Sequence, residues 1–158
     1  MTINYRVAAI SDLTLLLELV KEFHKSEQLA FDETVDRDVL ANLLADASLG
    51  QVWLIQQEDE AIGYIILTLG YSLEYRGRDA FIDEFYIRPN YRGQGIGTQT
   101  LAFVEDACQV LGVKALHLEV DFENPDAQRL YHRVGYQPHN RFLMTKNLAV
   151  SEDKDLGN

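Results

Sequence analysis

Apolar residues recur along this chain with two periods, near two and near 3.6, and the switches between them mark its elements. Residues 3–9, INYRVAA, read as a first strand. Ser11 is placed to cap a helix that carries Leu13, Leu16, Leu17, Val20 and Phe23 on one face and runs to about residue 28. A second helix is predicted over 35–47, with Gly50 beyond it as a stop. Residues 51–57 (QVWLIQQ) and 61–69 (AIGYIILTL), joined by a charged turn, form a predicted hairpin. The stretch 70–79, GYSLEYRGRD, reads as a connection into a strand over 80–88, AFIDEFYIR. A helical stripe of Ile96, Leu101, Val104, Cys108 and Leu111 then ends at Gly112. Residues 115–120, ALHLEV, return to strand. Asn124 and Pro125 suit the cap and first position of a helix that stops at Gly135, and 141–148, RFLMTKNL, is predicted as the last strand. The strand–helix–strand crossover should be right-handed, which makes its two strands parallel. The order predicts an α/β domain with a mixed, mostly antiparallel sheet.

At 158 residues the chain is sized for one domain with a real core. No repeat or Pro/Ser linker divides it, and the end of the chain, SEDKDLGN, reads as a short polar tail. The formal net charge of −11 argues against nucleic-acid binding, which needs a basic footprint. It suits a cationic acceptor, although an acidic surface also simply aids solubility. The single cysteine, Cys108, excludes an internal disulfide and fits a reducing compartment. The N-terminus MTINYRVAAI shows no secretory signal, and no apolar run approaches the ~20 residues of a spanning helix. A cytoplasmic address with no membrane contact is the expectation.

The chemistry concentrates at 87–99, IRPNYRGQGIGTQ, where three glycines alternate between a strand and a helix. Glycine lets a ligand approach the backbone closely, and the helix N-terminus presents free N–H groups and a positive dipole end. Together these make a phosphate or pyrophosphate cradle, with Arg92 as a charged donor at its lip. A Gly-rich turn without ligand is the alternative. A P-loop is excluded because Gly97-Thr98 lacks the lysine. A dinucleotide fingerprint would need glycine where Thr98 stands, after an apolar strand rather than one carrying Asp83 and Glu84.

A third pattern, Arg/Gln-x-x-Gly-x-Gly/Ala after a strand and opening a helix, is the acyl-CoA pyrophosphate loop of the GNAT N-acetyltransferase superfamily. Residues 91–101, YRGQGIGTQTL, resemble it without a mismatch. Downstream, Asn124, Ala127, Leu130, Tyr131, Gly135 and Tyr136 resemble that superfamily's Asn-x-x-Ala-x-x-Leu-Tyr-x-x-x-Gly-Phe/Tyr motif. The β–α–α–β–β order upstream is similar too. The resemblance implies a single-domain GNAT-like fold over 1–148, with a polar and flexible tail over 149–158. It further implies acetyl-CoA as cosubstrate, no metal, and an acyl-CoA-dependent transfer to an amine. The CoA contacts it implies are the amides of Gly93, Gln94, Gly95, Ile96, Gly97 and Thr98, Arg92, Asn124, Tyr131, and the backbone of Phe85, Tyr86 and Ile87, where the strand splays from its parallel neighbour.

Acyl transfer to an amine must remove an ammonium proton, which titrates near ~10, and benefits from an acid for the departing thiolate, near ~8.5. Tyr131 shares a helical face with Ala127, Leu130 and Val134, so its phenol points inward as core or as acid. The resemblance assigns it the acid role. Asp83 and Glu84 are the candidate bases. On a regular strand they face apart, with Asp83 aligned with Phe81, Phe85 and Ile87, which places Asp83 ahead of Glu84. An Arg ion pair for either, or proton removal through ordered water, stays open. His24, Glu27 and Phe31 at the end of the first helix, and Tyr71, Glu74 and Tyr75 before the Asp83 strand, are candidate acceptor contacts or solvated ends. His117 lacks the further ligands that a metal needs, and Cys108 lies on a core stripe. The acceptor reading is a small-molecule amine, or a peptide or protein amine, and many relatives dimerise, so a homodimer is open. The competing reading is a non-catalytic CoA-binding regulatory or sensor module.

Overall fold

The structure, a computed structural model, describes residues 2–149. Five strands form one sheet in the order β1 (Ile3–Val7), β2 (Gly50–Gln57), β3 (Glu60–Ser72), β4 (Gly77–Ile87) and β5 (Ala115–Leu118). The first four neighbours pair antiparallel and β4 pairs β5 in parallel, so the mixed sheet and its crossover stand as expected. Helices α1 (Leu13–Ser26) and α2 (Glu33–Ala45) cover one face, while α3 (Ile96–Val110) and α4 (Pro125–Arg133) cover the other.

Apolar burial on both faces explains the continuous hydrophobic runs of β2 and β3. Leu54, Tyr64 and Ile66 pack under Leu16, Leu17, Leu19 and Val20 of α1. Trp53, Ile65 and Leu67 point the other way, onto Leu101, Val104 and Cys108 of α3. A three-way polar clamp fixes α1 across the sheet. Arg88 donates to both oxygens of Glu22, at 3.1 and 2.9 Å, and the Tyr86 hydroxyl donates to Glu22 at 3.1 Å. That clamp sits two residues before His24 on α1 and ties this end of the helix to β4.

Four expectations need correction. Asp12, not Ser11, holds the entry to α1: its carboxylate accepts the Ala9 amide and pairs with Arg6, both at 2.8 Å. Gly50 is no helix stop but opens β2, where a Cβ would stand 2.0 Å from the Leu67 carbonyl oxygen. The connection read at 70–79 is mostly ladder, since Gly70 pairs with Asp79 and Ser72 with Gly77, which leaves a turn of only 73–76. Its polar sides arise because this hairpin overhangs the helices. Residues 141–148 form no strand, because no strand of the sheet lies beside them. Of the tail read at 149–158, residues 150–158 lie outside the described residues.

Candidate active site

A β-bulge in β4 builds one half of the site. Ile66 pairs with Glu84 and Leu67 with Ile82, so Asp83 is an extra residue with no partner opposite. On an unbroken strand Ile82 and Glu84 would share a face. Here Ile82 packs toward α3, while Glu84 turns toward α1 and Tyr64. Asp83 also acts on the α1 side, where it lies in the field of His24 and adds to that of Tyr64. The expectation that the two acids face apart, with Asp83 in line with Phe85 and Ile87, therefore fails at the bulge.

The adjacent acids have different surroundings. Glu84 accepts hydrogen bonds from His24 Nε2 at 2.6 Å and from the Tyr64 hydroxyl at 2.8 Å. His24 Nδ1 donates to the Ala30 carbonyl at 2.8 Å. With Glu84 as a carboxylate, both partners of the ring are acceptors, an arrangement that favours a proton on each ring nitrogen. Burial pulls the His24 pKa down, but the Ala30 bond and the Glu84 charge outweigh it and the net shift is upward. Asp83 has no hydrogen-bonding partner among the described residues. Solvent reaches it, yet enough protein surrounds it for desolvation to raise its pKa, with His24 opposing.

The opposite wall comes from the crossover. The β4–β5 ladder has four rungs and stops at Ile82–Leu118, so β4 runs on through Phe85, Tyr86 and Ile87 with no neighbour on that side. The opening faces α4, where Asn124 caps the helix by accepting the Ala127 amide at 3.2 Å and Pro125 takes the first position. Two turns along α4, Tyr131 packs into the α3-side core and edges against the Tyr136 ring at 5.9 Å. Its hydroxyl has no hydrogen-bonding partner among the described residues, and burial, then the charge of Glu27, raises its pKa. Glu27 of the α1 end thus lies within electrostatic reach of Tyr131 across the opening.

At the far end of the opening, Gly93 and Gly95 hold left-handed backbone, φ 77° and 79°, with nothing within 4 Å of an added Cβ. The first turn of α3 starts beyond them, and the earliest helical bond there is Gln99 N–H to Gly95, at 3.1 Å. Among the described residues the amides of Gly93 to Thr98 make no hydrogen bond, which suits an anionic ligand. Gly97 has a second reason to be glycine, since a Cβ would meet Leu130 of α4 at 3.3 Å. Arg92 donates through Nε to the Ile87 carbonyl at 2.8 Å and lies over the Tyr86 ring.

Comparison with known proteins bears on what this arrangement belongs to. Residues 16–136 match the model of the Acetyltransferase (GNAT) family. The chain belongs to that family. An aminoalkylphosphonate N-acetyltransferase of Salmonella typhimurium is 32% identical over 138 residues, covering 87% of each chain. A thialysine N-epsilon-acetyltransferase of Mus musculus is 26% identical, over 84% of this chain and 82% of that one. An integron cassette protein from the mobile metagenome of Cole Harbour Salt Marsh has a crystal structure that matches with a TM-score of 0.83 and 37% identity, over 93% of this chain and 91% of that one.

As a GNAT acetyltransferase the chain brings His24, Phe31, Glu27, Asp83 and Glu84 together, with the Phe31 ring edge-on to His24 at 6.3 Å. Tyr71, Glu74 and Tyr75 are not part of that group. Tyr71 is 86% exposed on the overhanging hairpin, and Glu74 there accepts from Arg141 at 2.7 Å. Tyr75 lies against His117, the two rings tilted at 60° with centroids 4.8 Å apart. Tyr64, fully buried with its hydroxyl on Glu84, went unread because a tyrosine within GYIIL looks like core. Among the described residues no group of His, Cys, Asp and Glu could hold a metal ion, and no helix is long and apolar enough to cross a membrane. Cys108 is buried, its thiol pushed up to about 11 by burial, so it is a poor nucleophile.

Proposed function

We propose that this chain transfers the acetyl group of acetyl-CoA directly to the primary amine of a small molecule in a reducing, cytoplasmic setting. The observation that carries the reading is the opening between β4 and α4, with an unpartnered carboxylate, Asp83, and an unpartnered phenol, Tyr131, at its borders. The free amides of 93–98 would hold the pyrophosphate, and the exposed edge of β4 at Phe85 to Ile87 would pair with the pantetheine arm. Asp83 takes the proton of the bound ammonium. The freed nitrogen attacks the thioester carbonyl carbon, the C–S bond breaks, and Tyr131 gives its proton to the leaving sulfur. The nitrogen sheds its second proton as the amide forms, and through solvent that proton restores Tyr131, while Asp83 releases the first to bulk water; the products are an amide and CoA. The hydrogen bonds of His24 and Glu84 fix the α1 end and the wall around Asp83.

Two relatives named for aminoalkylphosphonates and for thialysine support a small acceptor with a second charged group. The test is CoA release from acetyl-CoA with aminoalkylphosphonates, thialysine, polyamines and N-terminal peptides. A small amine should turn over, and Tyr131→Phe should lower kcat about 10²-fold while CoA still binds. CoA binding with no release for any amine would leave the non-catalytic sensor as the reading. Turnover of peptides alone would overturn the small-molecule acceptor.

A further inference from the structure

Upstream of Asp83 the floor of the site continues along β4. Ala80 and Ile82 belong to the α3-side core, so Asp79 and Phe81 face the α1 side, to which the bulge also turns Asp83. His117, the ladder partner of Phe81 on β5, faces the same way, while Leu116 and Leu118 beside it point to α3. Helix α1 meets β4 at Glu84 and Tyr86 and ends short of this stretch, where Phe81 is 39% exposed. On this face the strand therefore presents acid, ring and acid in the order Asp79, Phe81, Asp83.

Asp79 is set among rings. His117 Nε2 donates to its Oδ2 at 3.1 Å, and Gly70 opposite gives it room, since a Cβ there would stand 2.7 Å from Oδ1. The Phe81 and Tyr75 rings lie 5.0 and 4.8 Å from the His117 ring, and His139 stands edge-on to it at 6.4 Å. Asp79 has no lysine or arginine partner among the described residues: Arg141 is taken by both oxygens of Glu74, and Arg78 donates to the Leu111 carbonyl. A carboxylate without a fixed cation, edged by aromatic faces, suits an ammonium ion and repels an anion. Strands advance ~3.3 Å per residue, so Asp79 and Asp83 stand roughly 13 Å apart along β4, less what the bulge takes up. Building on the acetyl-transfer reading, we propose that the acceptor is a linear polyamine laid along β4. Its reacting amine sits at Asp83, its methylene chain crosses Phe81, and a distal ammonium is held by Asp79 among Tyr75, Phe81 and His117. Asp79 and Phe81 then select the length and charge of the acceptor, while Asp83 serves the reacting nitrogen.

CoA release from acetyl-CoA by the full chain should be compared for spermidine, hexylamine, 1,3-diaminopropane and 6-aminohexylphosphonate. Spermidine should exceed each of the others in kcat/KM by about 10-fold or more, because only it places a second ammonium at Asp79. Asp79→Asn keeps the size of the side chain and removes its charge. It should erase most of the preference for spermidine over hexylamine, through KM rather than kcat, and Phe81→Leu should erase part of it. A CoA-induced rise in melting temperature shows that each variant is folded. A preference that survives Asp79→Asn in a folded chain overturns the subsite. Hexylamine or the phosphonate turned over as well as spermidine overturns it too, and that comparison needs no variant to fold. CoA release with no polyamine preference removes the subsite alone, whereas no release with any amine removes the proposed activity and the subsite with it.

Discussion

At Asp83 the carboxylate has no hydrogen-bonding partner among the described residues, while Glu84 beside it has two. Each oxygen of Glu84 already receives a hydrogen bond, from His24 and from Tyr64, so neither is open to an incoming ammonium. Asp83 has the opposite properties: it is open to solvent, and desolvation lifts its pKa above the ordinary 3.8 toward the range a general base needs. The folded state therefore holds its proton more tightly than the unfolded chain does. Stability falls as pH rises from about 3.8 through the raised value, while activity gains its base over the same interval. Asp83→Asn should lower kcat/KM about 10²-fold near neutral pH. The deficit should shrink as pH nears ~10, where the amine sheds its own proton. A pH–rate profile checks this, and a deficit that is constant with pH would remove Asp83 from the role of base.

At the scale of elements, the glycine loop and the start of α3 act as one unit. Gly95 is the N-cap of α3 in left-handed backbone, so Gly95→Ala adds strain of about 1–2 kcal/mol to the turn that presents the free amides. Gly112, at φ 75° after α3, has the same backbone and equally open surroundings but lies at the opposite end of that helix. Both alanine variants should lower the melting temperature, and only Gly95→Ala should raise KM for acetyl-CoA, by about 10-fold or more. Equal KM values would show that the loop is a turn and no more. This unit was legible in the sequence because glycine spacing and helix caps are local signals. The bulge at Asp83 was not, since it depends on the register of β3 against β4, and nothing in AFIDEFYIR marks an extra residue. The last strand fails for a related reason: an apolar run such as that in RFLMTKNL is compatible with pairing, and only the assembled sheet reveals whether a partner is at hand.

Across the whole molecule, β1 to β4 differ from β5 in how far the chain travels before each ladder can form. The β2–β3 and β3–β4 ladders close through short turns, and β1 joins β2 after two helices that build its cover. β5 reaches β4 only once α3 has been laid down, and it gains four rungs for closing that longer loop. The proposed donor cleft lies at this seam. A ligand lying on the β4 edge and on the amides before α3 touches both sides of it, and at 100 times its Kd it favours the closed form by about 2.7 kcal/mol. In the ligand-free chain, β5 amides should exchange faster than those of β2 and β3, and acetyl-CoA should slow them selectively. Equal protection of β3 and β5 without ligand would refute the seam. The short parallel ladder thus couples the supply of donor to the integrity of the fold: when acetyl-CoA is scarce, more of this chain spends time with its last strand and two last helices undocked.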